Sequence, residues 1–272
     1  MVTQEQRKRQ LAREKFLRQQ QRRTAARRKA RVRNSVIASV LGVILVGSLA
    51  LYTSGVMKDD DKANASSETS PSAAPTSKAP DPCEKAAPGK VEKQSWKKEP
   101  AMSIDKSAKY TLDLATTCGK IDIALKASAA PHTVNSFDFL ANKGFFDHTK
   151  CHRLTTNGIY VLQCGDPTGS GSGGPGYTIP DENLKDKSLK SNVYPAGTVA
   201  MANTGQAHTG GSQFFLVYQD SQLPPSYTPF GTISESGMKV LKKIAAAGES
   251  TGAGDGAPNA TVVINKATVT KS

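Results

Sequence analysis

The feature that most restricts how this chain folds is the pair Asn157-Gly158. Both residues tolerate the positive φ that a type I′ turn demands, and β-prone residues flank them: Leu154, Thr155 and Thr156 before, Ile159, Tyr160 and Val161 after. A two-residue turn there makes residues 151–166, CHRLTTNGIYVLQCGD, a hairpin in which Thr156 faces Ile159, Arg153 faces Leu162 and Cys151 faces Cys164. Counted outward from the turn, the cysteines fall at a non-hydrogen-bonded pair. There Cα atoms approach to about 4.5 Å, within disulfide reach. The spacing predicts a stapled hairpin.

Arg153 stands out within it. Ten arginines occupy the first 34 residues, and from Ser35 to Ser272 Arg153 is the only one, every other cation there being a lysine. A planar, permanently charged fork of five donors in an otherwise lysine-only region points to a geometric task, against the simpler reading of a strand side chain reaching solvent.

The same asymmetry divides the chain. Residues 1–34 carry 13 Lys/Arg against two Glu, which is +11 of the formal +13, so the rest is nearly neutral. This segment is rich in Gln, Ala, Arg and Lys without Pro or Gly, and reads as a basic helical arm with too few apolar residues for a core. Residues 35–57 contain no charge and are apolar enough for one transmembrane helix, the rival reading being a cleaved signal peptide ending near Ser48-Leu49-Ala50. The positive arm stays cytoplasmic, against anionic lipid or a cytoplasmic protein, and sends the C-terminal part outside. The arm has no aromatic interleaving, which argues against nucleic acid.

Residues 58–95, dense in Ser, Ala, Pro and charge, read as a disordered spacer, and residues 96–272 as a folded domain. All four cysteines lie beyond the apolar run, which fits an oxidising exterior. If Cys151 pairs with Cys164, Cys83 is left to Cys118, although four cysteines allow three pairings. Cys/His metal spacing is absent, so a metal site is not expected.

Within the domain, KYTLDLATTCGKIDIALK alternates around Cys118-Gly119 as a second hairpin. PHTVNSFDFLANKG follows as a helix with Gly144 at its C-terminal end, and GMKVLKKIAAAG as another. Short strands are expected around GTVAMAN, SQFFLVY and TVVINKATVT, and a long loop at GDPTGSGSGGPGY, where no helix follows to make a phosphate cradle. The fold class is mainly β: a closed antiparallel barrel with two α-helices.

Three linked motifs, CHRL…YVLQCGDP, MANTGQAHTGGSQFFLVY and PFGTI, resemble the cyclophilins over about residues 103–272. The resemblance implies an eight-stranded closed barrel capped by two helices and peptidyl-prolyl cis-trans isomerase activity on proline-containing polypeptides. It implies no cofactor. Carried over by position, the catalytic arginine falls on Arg153. The proline pocket falls on Tyr160, Val161, Phe215, Leu223 and Tyr227, and the backbone groove on Gln163, Ala202, Asn203 and Gln213. Tyr160, Leu223 and Tyr227 depart from the usual Phe, Trp and His, and Leu223 implies weak cyclosporin binding. The turn after Arg153 is two residues longer than usual. These features resemble a bacterial, exported branch.

Two readings from the residues pull against each other. In the ideal hairpin register Arg153 shares a face with Tyr160, while Gln163 points the other way with His152, yet the resemblance asks for Arg153 and Gln163 together. A β-bulge between Tyr160 and Gln163 reconciles them, and threatens the cysteine pairing. Other chemistries lack support. His132, His148, His152 and His208 have no ligand spacing, and Ser212 lacks the flanking glycines of a nucleophile elbow.

Overall fold

The computed structural model describes residues 80–272. The basic arm, the apolar run 35–57 and the first part of the spacer lie outside the described residues. Among the described residues no helix is long and apolar enough to cross a membrane.

Strands β1 (Tyr110–Thr116) and β2 (Gly119–Leu125) form a hairpin paired without interruption from Tyr110↔Leu125 to Thr116↔Gly119. Alternation sends Leu112, Leu114, Ile121 and Ile123 into the core. Helix α1 (Pro131–Asn142) starts with proline, whose missing N–H is unneeded in a first turn. It ends in a Schellman motif: Gly144 adopts φ 68°, its N–H reaches the Ala141 carbonyl at 2.9 Å, and the Phe145 N–H reaches Leu140 at 3.0 Å. Phe137 on this helix is fully buried, its ring 4.5 Å from Phe230, 5.2 Å from Phe146 and 5.4 Å from Phe214. Helix α2 (Glu235–Ala246) is capped by the Ser234 side chain, which accepts from the Gly237 N–H at 3.0 Å.

The remaining strands are β3 (Thr149–Lys150), β4 (Arg153–Thr155), β5 (Val161–Cys164), β6 (Val193–Tyr194), β7 (Thr198–Met201) and β8 (Phe214–Val217), then β9 (Ser221–Gln222), β10 (Pro229–Ile233), β11 (Asp255–Gly256) and β12 (Val263–Lys271). The expected closed eight-stranded barrel is not what forms. The main sheet has ten strands in the linear order β11-β4-β5-β8-β7-β10-β2-β1-β12-β3, an open, curled half-barrel, with β6 and β9 paired separately. The ladder stays open because the chain breaks strand geometry at Cys151-His152. That break splits one potential strand into β3, which pairs with β12, and β4, which pairs with β5 and β11.

Across β5, β8 and β7 the two sheet faces do different jobs. Leu162, Phe214, Leu216, Val199 and Met201 enter the main core. Their neighbours Val161, Phe215, Val217 and Ala200 turn the other way and form a second, smaller apolar cluster with Tyr194. Both disulfides are formed, Cys83–Cys118 and Cys151–Cys164.

Residues 80–104 contain no helix or strand and run along the domain as a strap. Besides the Cys83–Cys118 bond, the Ala87 N–H donates to Asn265 Oδ1 at 3.0 Å and Gln94 Nε2 to the Lys143 carbonyl at 2.8 Å. The Trp96 N–H donates to the Pro175 carbonyl at 2.8 Å, and the Ser103 N–H to Asn135 Oδ1 at 2.8 Å.

Candidate functional site

The hairpin of β4 and β5 resolves the conflict between register and resemblance. Arg153 pairs with Gln163 and Leu154 with Leu162, one residue out of the ideal register. Cys151 nevertheless bonds Cys164, with Cα atoms 4.0 Å apart. The extra residue is taken up between them: the His152 N–H donates to the Gln163 carbonyl at 3.1 Å, so His152 and Arg153 together oppose Gln163 as a bulge. The bulge lies at the entry to β4, outside the stretch from Tyr160 to Gln163 that the sequence suggests, and it brings Arg153 and Gln163 to one face without undoing the disulfide. The turn also differs from the two-residue I′ form. Of its two residues only Gly158 has positive φ, 76°, with Asn157 and Ile159 bridged around it.

The Arg153 guanidinium is the hub of a hydrogen-bonded row. Its Nε and Nη2 donate to Asp255 Oδ1 and Oδ2 at 2.7 and 2.8 Å, a bidentate pair, and Nη1 donates to Gln163 Oε1 at 3.2 Å. Gln163 Nε2 donates onward to Gln213 Oε1 at 2.8 Å, and Gln213 Nε2 to the Gly173 carbonyl at 2.9 Å. Three of the five guanidinium N–H groups are thus held, which fixes the plane of the fork and leaves two donors. The Asp255 hydrogen bonds push the Arg153 pKa up, and the same contacts hold the Asp255 carboxyl below its usual value. The pair remains solvent-accessible, Arg153 38% and Asp255 56% exposed at the side chain.

Beside the guanidinium lies a cavity of about 520 Å³. Its apolar wall is Val161 and Phe215 on β5 and β8, Ile159 from the hairpin loop, and Leu223 and Tyr227 from the connection before β10. The Tyr227 ring stands 5.5 Å from Phe215, and its backbone is fixed by the Tyr194 hydroxyl, which donates to the Tyr227 carbonyl at 2.8 Å. The polar wall is Arg153, Gln163, Asn203 and Asp255, and Ala202 lines the cavity where it packs against the smaller apolar cluster. Asn203 is steered by its Nδ2, which donates to the Ser226 carbonyl at 2.8 Å, and the Ala202 N–H donates to the Gln213 carbonyl at 2.9 Å.

Two expected residues sit elsewhere. Tyr160 is off the cavity: its N–H donates to Ser221 Oγ at 2.9 Å and its ring packs 5.8 Å from Tyr218. Alternation along the strand puts Ile159, Val161 and Gln163 on the cavity side, so Ile159 lines the well in its place. Gln213 lines a larger neighbouring cavity, about 1120 Å³, which also shares Gln163, Ala202 and Asn203 with the first. Asp255 was not foreseen. It lies 102 residues from Arg153 in a glycine-rich turn, and the pairing of β11 with β4, Asp255 with Thr155 and Gly256 with Leu154, brings them together.

His152, next to the hub, has both ring nitrogens buried without a hydrogen-bond partner. Burial pushes its pKa down; the nearby Asp166 charge opposes this and Arg153 reinforces it. Asp166 is itself fully buried at the start of the glycine loop. Burial raises its pKa, but donors from the Thr168 hydroxyl and the Thr168, Gly173 and Gly171 N–H groups outweigh that and hold it at about 2. Among the described residues no group of three His, Cys, Asp or Glu is arranged to hold a metal ion.

Residues 111–269 match the family described as cyclophilin type peptidyl-prolyl cis-trans isomerase/CLD, more than half of the chain. The chain is a cyclophilin. A probable peptidyl-prolyl cis-trans isomerase B of Mycobacterium leprae is 51% identical over 165 residues, covering 58% of this chain and 56% of the relative. The protein of that description from Mycobacterium tuberculosis H37Rv is 48% identical, covering 58% and 53%. This cyclophilin therefore spans about half the length of these mycobacterial relatives. A crystal structure of a Cryptosporidium parvum cyclophilin type peptidyl-prolyl cis-trans isomerase, in the presence of the dipeptide Ala-Pro, superposes with a TM-score of 0.50 at 26% identity, covering 60% of this chain and 99% of that one.

Proposed function

We propose that this cyclophilin accelerates cis-trans rotation of X-Pro bonds in proline-containing polypeptides, with Arg153 as its catalytic residue. The observation that carries the reading is an arginine fork, held on three of its donors, at the edge of an apolar well floored by Phe215. Leaving amide resonance raises a barrier near 20 kcal/mol, and as the bond twists the prolyl nitrogen becomes pyramidal and basic. An Arg153 N–H directed at that nitrogen stabilises the twisted state more than the planar one, which is the condition for acceleration. No bond forms or breaks, so the reaction needs no nucleophile and no cofactor.

The apolar wall of Val161, Phe215, Leu223, Tyr227 and Ile159 grips the ring. Gln163, Ala202 and Asn203 hold the flanking backbone, so that one side of the bond rotates while the other is fixed. Removing about 7 kcal/mol from the barrier corresponds to roughly 10⁵-fold. One charged hydrogen bond together with desolvation and positioning is of that order.

The layout we propose with it is a cytoplasmic basic arm over 1–34, apposed to anionic lipid or a cytoplasmic protein, one membrane-spanning helix over 35–57, a spacer over 58–95 whose last part, from residue 80, is tied to the domain as the strap, and an extracytoplasmic isomerase domain over 96–272. The charge asymmetry and the uncharged apolar run support this topology, and the two disulfides fit an oxidising exterior. Clients are then exported or cell-surface proteins. Exchange NMR on an Ala-Pro peptide with the full chain in detergent tests the activity. Broadened cis and trans signals with wild type and sharp ones with Arg153→Lys support it. Absent broadening, with the peptide still shifting the protein's resonances, replaces it with a proline-binding module.

A further inference from the structure

The larger cavity has one wall that the cyclophilin fold does not supply. Residues 97–99 of the strap form it, upstream of the family match at 111–269. They are held on both sides. Before them, Trp96 donates its N–H to Pro175 and packs its ring 5.0 Å from Phe139 and 6.0 Å from Phe145. After them, Glu99 faces His132 Nδ1 at 3.3 Å, at the start of α1.

The charge of this cavity comes from the strap alone. The other lining residues are neutral, among them Gln163, Tyr177, Asn203, Thr204, Thr209 and Gln213. Glu99 is engaged by His132, whereas Lys97 and Lys98 are exposed and have no carboxylate partner among the described residues. Two lysines against one carboxylate leave the lining net positive among otherwise neutral polar residues, which favours an anion. The basin opens into the proline well through Gln163, Gly171, Ala202 and Asn203, so a peptide lying in the well continues into it.

We propose that Lys97 and Lys98 of the strap make the second cavity select for an acidic side chain flanking the substrate proline. The proposal rests on the isomerase reading for where the peptide lies, and adds a substrate class to it. Two exposed lysines acting at short range give a preference of about three- to tenfold in kcat/KM for a Glu-containing peptide over its Lys counterpart. Because the groups are solvated, the preference shrinks as salt shortens the Debye length.

The test compares proline peptides carrying Glu, Gln or Lys two residues before or two residues after the proline, with the full chain in detergent at low and high salt. Turnover is read by exchange NMR, and binding by titration of amide resonances. In the wild type one of the two positions shows the ranking Glu over Gln over Lys. Lys97→Gln/Lys98→Gln brings the Glu to Lys ratio to about one, and Lys97→Glu/Lys98→Glu inverts it, the Gln peptide serving as common reference. Wild-type ratios within about twofold of one at both positions, in turnover and in binding alike, overturn the proposal. Turnover lost for all peptides while binding still ranks Glu first overturns the isomerase reading and leaves the charge selection by the strap standing.

Discussion

Two hairpins of the same domain, each carrying one end or both ends of a disulfide, differ in almost every other respect. In β1 and β2 seven residues pair with seven, the alternation is unbroken, and the result is a wall of the core. In β4 and β5 only two pairs are regular, a bulge turns Arg153 toward Gln163, and a two-residue strand delivers Asp255 from the far end of the chain. Regular pairing makes stability, since each side chain has one face to go to. The irregular hairpin gives some of that up to aim three polar side chains at one point. Its disulfide sits beside the bulge, where it restrains a strand with few ladder bonds of its own.

The sharpest way to break this contrast is Arg153→Ala, which is expected to lower kcat/KM by about 10²–10³-fold while leaving the melting temperature nearly unchanged. An equal loss of stability would assign Arg153 to the fold. The two disulfides come next and are expected to separate stability from activity. Replacing Cys83 and Cys118 by serine opens the longer loop and costs about 4 kcal/mol on the chain-entropy account, against about 3 kcal/mol for Cys151 and Cys164. The second pair, adjacent to His152 and Gln163, is the one whose removal lowers turnover of the folded protein. Denaturant melts paired with exchange NMR check both halves.

Asp255→Asn keeps the shape but loses the charge that orients the fork, and an approximately tenfold fall in kcat is expected with KM little changed. Since the Asp255 pKa lies below its ordinary value, the pairing is fully present above about pH 4 and is lost as pH falls through the folded value. The Asp255 pairing therefore contributes no change in activity from pH 8 to 5, and a fall at pH 6 that persists in His152→Gln and is absent from Asp255→Asn would speak against this placing of its pKa. The smallest effect belongs to His152. Its folded pKa is below 6.5, so the unfolded state takes up the proton first, and stability declines as pH drops from 6.5 toward the folded value. His152→Gln is expected to flatten that slope, measured by melts between pH 7 and 5.

The regular parts of the molecule were legible because one local rule governed each. Alternation around Cys118 marks the β1–β2 hairpin, and Gly144 marks the end of α1, where a left-handed residue is needed. Arg153 was legible by composition alone, and most of the well by resemblance. What the residues did not disclose is where two rules compete. The Asn157-Gly158 pair favours a two-residue turn, but the Thr156 N–H bonds the Gly254 carbonyl at 2.9 Å, and contact with that distant segment accompanies the shifted register. That shift moves Ile159 into the well instead of Tyr160. Asp255 and the strap wall are products of long-range pairing, with no signature in their own neighbourhoods. The open ladder likewise follows from a break at Cys151-His152 that reads, residue by residue, as ordinary strand.

Trp96 is the sole tryptophan of the chain, half-buried against Phe139 and Phe145 immediately before the lysines that wall the second cavity. The protein thus has a built-in optical reporter at a single address. Its emission follows the docking of the strap, whereas far-ultraviolet dichroism follows the sheet, and the two signals diverge whenever the strap lifts before the domain melts.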